Sequence, residues 1–555
     1  MKVLNRVLIL GIPLISCFAF TQGTDPVNLP KLLILSTVAG SVFFLLIVLL
    51  KNKLINLSKE VIFFFIFFVM ASLIPVIFTD APMAQQLYGD YSRNTGLLFY
   101  LCAAVILVGA TLIKSKQTFS GILVGLAVTS LFNMAVSIPE LFGYEILKYN
   151  NTFGRILGAF GNPNFIGAFF AFSSSVPLVV MLNREVGFWK RLIALLYLIL
   201  SLFMIIESNA RQGLIVFALI LFLGFLIYAK TSLGLKMAKR VALLIFTPVL
   251  IVASFGTVGY GPLTNMLYKT SVTLRGEYWL AGLNMFKSHF LTGVGLNSYG
   301  DWYRSARRAE ALVLPGIDTT TNASHNVIID YAATGGIFFV TAYLLLIAFT
   351  CISIWKVYSK LAKFDPIWSG LTLAWVGYQV QSFVSIDQIG LAIWGWALSG
   401  VLIAYASFES NAELPTSKSL KRQNKGNLQN TGFTDLVAVF GLVFGFGLCL
   451  PAYLADTDWK SEIQRPSEVG ILEKAQKWPI VEDRILEGAI AFSDNKLYDS
   501  SLILVKRITQ ENPRSYVGWK MLYENPKSSK GEKSEALKNL LSLDPLNPQL
   551  LALTR

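Results

Sequence analysis

Only two histidines occur among the 555 residues. One of them, His325, closes the longest hydrophilic interruption of a mostly apolar chain, roughly Gly259 to His325. Behind it lies the apolar stretch Ile337 to Ile354. An imidazole at the mouth of a membrane segment can accept a proton near neutral pH, and activity carried by it should fall as pH drops through its unperturbed pKa of about 6.5. The plainer reading is a side chain that hydrogen-bonds at the start of an interfacial helix. Four arginines, Arg93, Arg155, Arg211 and Arg275, fall in four separate polar loops. A guanidinium offers a planar fork of donors matched to phosphate oxygens. Arg211 sits in the tight turn Glu207-Ser208-Asn209-Ala210-Arg211-Gln212. Arg275 opens Leu274-Arg275-Gly276-Glu277-Tyr278-Trp279, continued by Leu280, Leu283, Met285 and Phe286. That pattern predicts an amphipathic helix on the interface, ended near Gly293-Val294-Gly295. Singly, each arginine reads as a snorkelling headgroup anchor. Together with His325, Arg211 and Arg275 point to a membrane-tethered phosphate or diphosphate. Asp330, one turn beyond His325, could orient the imidazole. Arg304, Arg307 and Arg308, next to Glu310, read as a solvated or headgroup-facing run, and His289 as structural.

The elements that must position these residues are membrane helices. The chain is 54% hydrophobic and 14% charged, with mean hydropathy +0.57, too little charge to cover a soluble protein of this length. About thirteen stretches approach the apolar length of a membrane helix. They are Val7–Phe20, Leu32–Leu50, Val61–Phe78, Gly96–Ile113, Phe119–Ile138, Phe165–Leu182, Leu192–Ile206, Gly213–Tyr228, Val241–Val258, Ile337–Ile354, Ile367–Val384, Ile389–Phe408 and Leu436–Leu454. Alternate loops are basic. Lys51, Lys53 and Lys59 fill the second, Lys114 and Lys116 the fourth, and Arg184, Lys190 and Arg191 the sixth. Lys230, Lys236, Lys239 and Arg240 fill the eighth, Lys356, Lys360 and Lys363 the tenth, and Lys418, Lys421, Arg422 and Lys425 the twelfth. By the positive-inside rule these loops face the cytoplasm and the others face outside. The predicted fold is therefore all-α, a polytopic membrane bundle spanning 1–408, with the long outward loop at 259–325. A flexible cytoplasmic linker is expected over 409–431, a last membrane helix over 432–454, and an outward helical domain over 455–555. In that domain Glu511-Asn512-Pro513 and Asp544-Pro545 each end a helix pair, close to the tetratricopeptide period of about 34 residues.

The formal charge of +14 is spread as short clusters between apolar runs, which is a topology signal and not a groove for nucleic acid. Cys17, Cys102, Cys351 and Cys449 lie in apolar segments without metal-ligand spacing. Leu14-Ile15-Ser16-Cys17 has the form of a lipoprotein cleavage box, but an uncleaved first span looks much the same. No metal cluster, Walker loop or Gly-x-Ser-x-Gly elbow is evident, and neither a metal nor a cofactor is expected.

Leu274-Arg275-Gly276-Glu277-Tyr278-Trp279, His289 to Gly295, Ser324-His325-Asn326 and Gly335-Gly336 follow one another in an order that resembles the O-antigen ligase and O-antigen polymerase family. Gly161-Asn162-Pro163-Asn164 is similar to that family's Gly-Asn-Pro-Asn element, and Ser208 to Gly213 to its Ser-Arg-Gly turn with Asn209-Ala210 inserted. The resemblance implies a GT-C-like helical bundle in the bacterial inner membrane. It implies transfer of a glycan from an undecaprenyl-diphosphate carrier to an acceptor hydroxyl on the periplasmic face, without a metal, lipid A-core being the expected acceptor. His325, Arg275 and Arg211 would be the catalytic residues. Arg155, Arg93, Asn162, Asn164, Glu277 and Asn326 would bind substrate. Polymerisation of repeat units or transfer to protein hydroxyls would use the same donor. A lipid-linked glycan transporter is the competing class, but it should carry charges at mid-membrane, which these spans nearly lack. Membrane lipids are expected partners, and the outward helical domain could dock a protein.

Overall fold

A computed structural model describes residues 1–148, 151–233, 270–412 and 431–553, with isolated positions between 234 and 269. The protein is a multi-pass helical membrane protein. Nine helices among the described residues are long and apolar enough to cross a membrane. Every predicted stretch on described residues is a helix. Three of these are shorter than a full span, Lys2–Cys17, Leu97–Ala110 and Pro366–Ser382. Val241–Val258 lies outside the described residues. Lys116, Lys356, Lys363 and Glu409 gather at one end of the bundle, around one shared cavity, as the alternation of basic loops requires.

The helices begin where local chemistry says they should. Asp365 accepts from the amides of Ile367 and Trp368, with Pro366 at the first helical position. Asn162 caps Pro163–Ser173 in the same way. The main apolar core includes Trp368, Trp394 and Trp396, all nearly inaccessible.

Two features carry the site. The first is a break in the helix Val327–Lys360 at Gly336, whose φ is 71°. The loop after the helix Thr270–Ser288 docks into that break. Val294 donates to the Ala333 carbonyl at 2.9 Å, Gly295 to Thr334 at 3.1 Å and Ile337 to Phe290 at 2.8 Å. A side chain at Gly293 would strike the Thr334 backbone, and one at Gly336 the Leu291 carbonyl. Glycine is required at both places by close backbone approach as well as by positive φ.

The second feature is the last long helix, Thr431–Gln464, which runs unbroken for 34 residues, about 51 Å at 1.5 Å per residue. It packs against Asn28–Lys51 through Gly441 and Gly445, which lie against the backbones of Gly40 and Ser36 with no room for a Cβ. This is the small-xxx-small contact that membrane helices use to approach closely. Beyond it, the helices Glu468–Ala475, Glu482–Asp494, Tyr498–Glu511, Tyr516–Glu524 and Lys530–Leu543 form a separate apolar core from Trp459 to Leu550. The helix Ile389–Ala412 continues past Phe408 into the predicted linker, most of which lies outside the described residues.

Candidate functional site

The turn that bears His325 is fixed from both sides. The Asp330 carboxylate accepts from the Ser324 amide at 2.6 Å, and Ser324 Oγ donates to the Asn326 carbonyl at 2.9 Å. Asn326 caps the next helix by accepting from Ile328 and Ile329, and its amide donates to the Phe383 carbonyl. His325 is left between them with φ 60°, a left-handed conformation uncommon for a residue with a side chain. Asp330 therefore holds the turn and not the ring.

His325 lines a cavity of about 940 Å³ at the polar end of the bundle. Arg275 from the helix Thr270–Ser288, Arg93 from the loop before Leu97–Ala110, and Lys148 line it too. So do Asn162 and Asn164 from the Gly161–Asn164 cap. Gly161, at φ 66°, makes the cap possible, since a Cβ there would meet Val27. On the far wall stand Asp483 and Glu487 of the C-terminal domain. Arg275 has no carboxylate partner among the described residues. Arg93 donates to the Asn322 side chain, which in turn donates to Asp90 at 2.8 Å, while Arg93 Nε and Nη1 are buried without a hydrogen-bond partner. Such donors are costly to leave unmade. Burial, followed by the Arg275 and Arg93 charges, pushes His325 down to about 3. The imidazole is thus neutral across the physiological range. Its ring leans against Tyr278, centroids 5.9 Å apart.

Behind Arg93 a chamber of about 40 Å³ reaches Asp330 and Asp387. Tyr331 and Tyr378 donate their hydroxyls to Asp387 at 2.7 and 3.1 Å, and burial raises its carboxyl to about 6.

The structure thus brings together His325, Arg275, Arg93, Asn162 and Asn164. The other expected residues stand apart from the cavity. Arg211 begins the helix Arg211–Tyr228 and does not line it, although its neighbour Gln212 donates to the Asn164 carbonyl at 3.2 Å. Arg155 is exposed. Glu277 is bound to Arg308 by two hydrogen bonds of 2.5 and 3.3 Å, and Asn326 is consumed as a cap. Arg304 and Arg307 are not a solvated run. Arg307 is buried and its Nη2 donates to both carboxylate oxygens of Asp544 of the C-terminal domain at 2.8 and 2.9 Å, and Arg304 reaches the same carboxylate at 3.1 Å. A buried charge demands a partner, and a carboxylate 237 residues away supplies it. His289 packs on Trp302 and shares a 2.9 Å hydrogen bond with Ser288, clear of the cavity.

Lys148, Asn322 and Asp483 also line the cavity and carry no signal of their own in the sequence. Lys148 is one lysine in a polar loop, and Asp483 is contributed across more than 150 intervening residues by a fold that only tertiary packing creates.

Residues 196–344 match the family model of the O-antigen ligases. The matched span holds Arg211, Arg275, His325 and the Gly335-Gly336 break, and leaves out Arg93, the Gly161–Asn164 cap and the C-terminal domain. The match supports the family resemblance carried by the motifs. No curated protein matches the chain.

Proposed function

We propose that the protein transfers a glycan from undecaprenyl diphosphate to an acceptor hydroxyl, and that the cavity around His325 holds the diphosphate. The observation that carries this reading is the pairing of a neutral imidazole with Arg275, which has no carboxylate partner among the described residues, and with Arg93, whose buried Nε and Nη1 are unfilled. An enzyme of ligase or polymerase type is what the family match supports.

In the proposed step the acceptor oxygen attacks the anomeric carbon and its proton passes to a ring nitrogen of His325. The bond from the anomeric carbon to the diphosphate oxygen breaks, and the charge that develops there is held by Arg275, Arg93 and Lys148. The carrier's own bond supplies the energy. Burial, followed by the charges of the two guanidinium groups, holds His325 at about 3 and would make it a weak base before the donor binds. A bound diphosphate offsets the arginine part of that shift, so proton affinity at His325 rises with donor in place. The reading thus includes an order: donor first, then activation of the hydroxyl. The carboxylates behind Arg93 keep its charge balanced between turnovers. The active face is periplasmic in this reading, and lipid A-core is the acceptor the resemblance implies; polymerisation or transfer to protein would run through the same step.

The test uses purified protein with a lipid-diphosphate oligosaccharide. Transfer should need no nucleotide, and undecaprenyl diphosphate should compete with the donor. Nucleotide-dependent transfer, or indifference to undecaprenyl diphosphate, would overturn the reading. Glycans from a deletion strain identify the acceptor. Polymer missing from lipid A-core but accumulated on the carrier means ligase, and single repeat units on lipid A-core mean polymerase.

A further inference from the structure

A second cavity, of about 550 Å³, lies between the C-terminal domain and the outward loops, within the range of small-ligand sites. Tyr91, Ser92, Asn322 and Asp483 line both this cavity and the one that holds His325, so these residues form a shared wall. We propose that this second cavity binds the uncharged terminal sugars of the acceptor glycan and presents a hydroxyl across that wall to His325. The inference rests on the glycan-transfer reading above.

Three observations point to this class of ligand. The first is an unfilled pair of polar atoms. Asn94 is 7% exposed and Arg484 3%, both line the cavity, and Asn94 Oδ1 and Arg484 Nε are buried with no partner. One is an acceptor and the other a donor, and a hydroxyl serves both. The second is charge. Asp90, Asp301, Asp456, Asp483 and Glu511 line the space together with Glu482, whose carboxyl burial pushes up to about 8, and among the described residues Arg484, whose Nη2 donates to the Lys477 and Pro479 carbonyls, is its only cationic side chain. A phosphate or an acidic sugar would be repelled, whereas sugar hydroxyls donate well to carboxylates. Among the described residues these carboxylates do not converge as a metal cluster. The third is the aromatic lining. Trp478, 49% exposed, lines the cavity together with Tyr88 and Tyr91, and flat apolar ring faces suit the C–H faces of sugars. The carrier's diphosphate belongs with Arg275 on the other side of the wall, because the carboxylates exclude it here. That division assigns the second cavity to the acceptor.

The experiment compares Trp478→Ala and Glu511→Gln, which line only the second cavity, with wild type in the full-length protein. KM for the acceptor glycan should rise about tenfold on loss of one aromatic contact, while binding of undecaprenyl diphosphate stays within about twofold. An acceptor of equal length ending in a phosphorylated or uronic sugar should be used about tenfold less well. Unchanged acceptor KM in both variants, a rise in donor KM alone, or equal use of the charged acceptor overturns the assignment. Sugar binding is read separately, as quenching of Trp478 fluorescence by the cell's own neutral oligosaccharide, with Trp478→Phe as the blank. Quenching without any transfer would sink the glycan-transfer reading and keep the cavity. Transfer without quenching would sink the cavity and keep the transfer.

Discussion

His325 has two jobs to reconcile, to stay neutral and to take a proton. Replacing it by Ala should cut transfer by about 10²–10⁴-fold, measured on purified protein with saturating donor, and leave undecaprenyl-diphosphate binding near wild type. The acid limb expected from an unperturbed imidazole near 6.5 moves away, because burial and two arginines push His325 to about 3. The kcat/KM profile of wild type should therefore show no histidine limb at pH 6–7. The same shift has a stability signature. Between about 6.5 and 3 the unfolded chain binds a proton at this residue and the folded chain does not, so its contribution to stability falls as pH drops through that window. On going from pH 7 to 5 the thermal midpoint of wild type should fall further than that of His325→Gln. An equal fall in both would place the pKa of His325 near its ordinary value. Arg275→Lys keeps the charge but loses the fork, and should cost about 10²–10³-fold in kcat with normal insertion. Arg211→Lys should cost much less, since Arg211 does not line the cavity. Residue types and their order in the chain made His325 and Arg275 legible from sequence. What the sequence could not separate was Arg275, without a carboxylate partner among the described residues, from Arg307, locked on Asp544, because both are arginines in one polar stretch. Only the partner's position tells them apart.

At the level of elements, apolar length located the spans well and their ends poorly. The last span read as Leu436–Leu454 belongs to a helix that runs on to Gln464, because Asp456, Asp458 and Lys460 end the hydrophobic run without ending the hydrogen-bond ladder. Apolar composition carries no mark of the break at Gly336 within Val327–Lys360. Gly335-Gly336 was read only as part of a family motif; the physical need is the docking of Phe290 to Gly295 into the gap. Gly336→Ala puts a Cβ onto the Leu291 carbonyl and onto a positive φ. It should cost about 1–3 kcal/mol locally and lower transfer while the protein still inserts. Hydrogen exchange over 290–296 is the readout, and unchanged protection there would show that the break is not what holds the loop.

For the whole molecule, the C-terminal domain is fastened to the membrane bundle by buried charge. Asp544→Ala strands Arg307 without its partner and should weaken docking by about 3–5 kcal/mol, seen as faster proteolysis between Gln464 and Glu482. Adding Arg307→Met should recover part of the loss, since the unpaired cation is then gone. Arg514 over the Trp302 ring, 3.4 Å from its centroid, and Asn512 bonded to Asp301 at 3.0 Å complete the seam. The alternation of basic loops further predicts that a periplasm-dependent reporter is active after Arg555 and silent at Lys425; the reverse at either point would invert the topology.

The Arg307–Asp544 pair also sets a clock. The two residues are 237 positions apart, so at the usual pace of synthesis Arg307 waits roughly ten to fifty seconds for its partner to be made. The wall between the two cavities is in the same position, because Asp483 arrives long after Tyr91 and Asn322. A newly made molecule therefore holds its arginines and His325 in an unfinished vestibule until the final helices have been made and packed against it. If the cavity holds a lipid diphosphate as proposed, nascent chains stalled before Asp544 should bind that carrier but make no product.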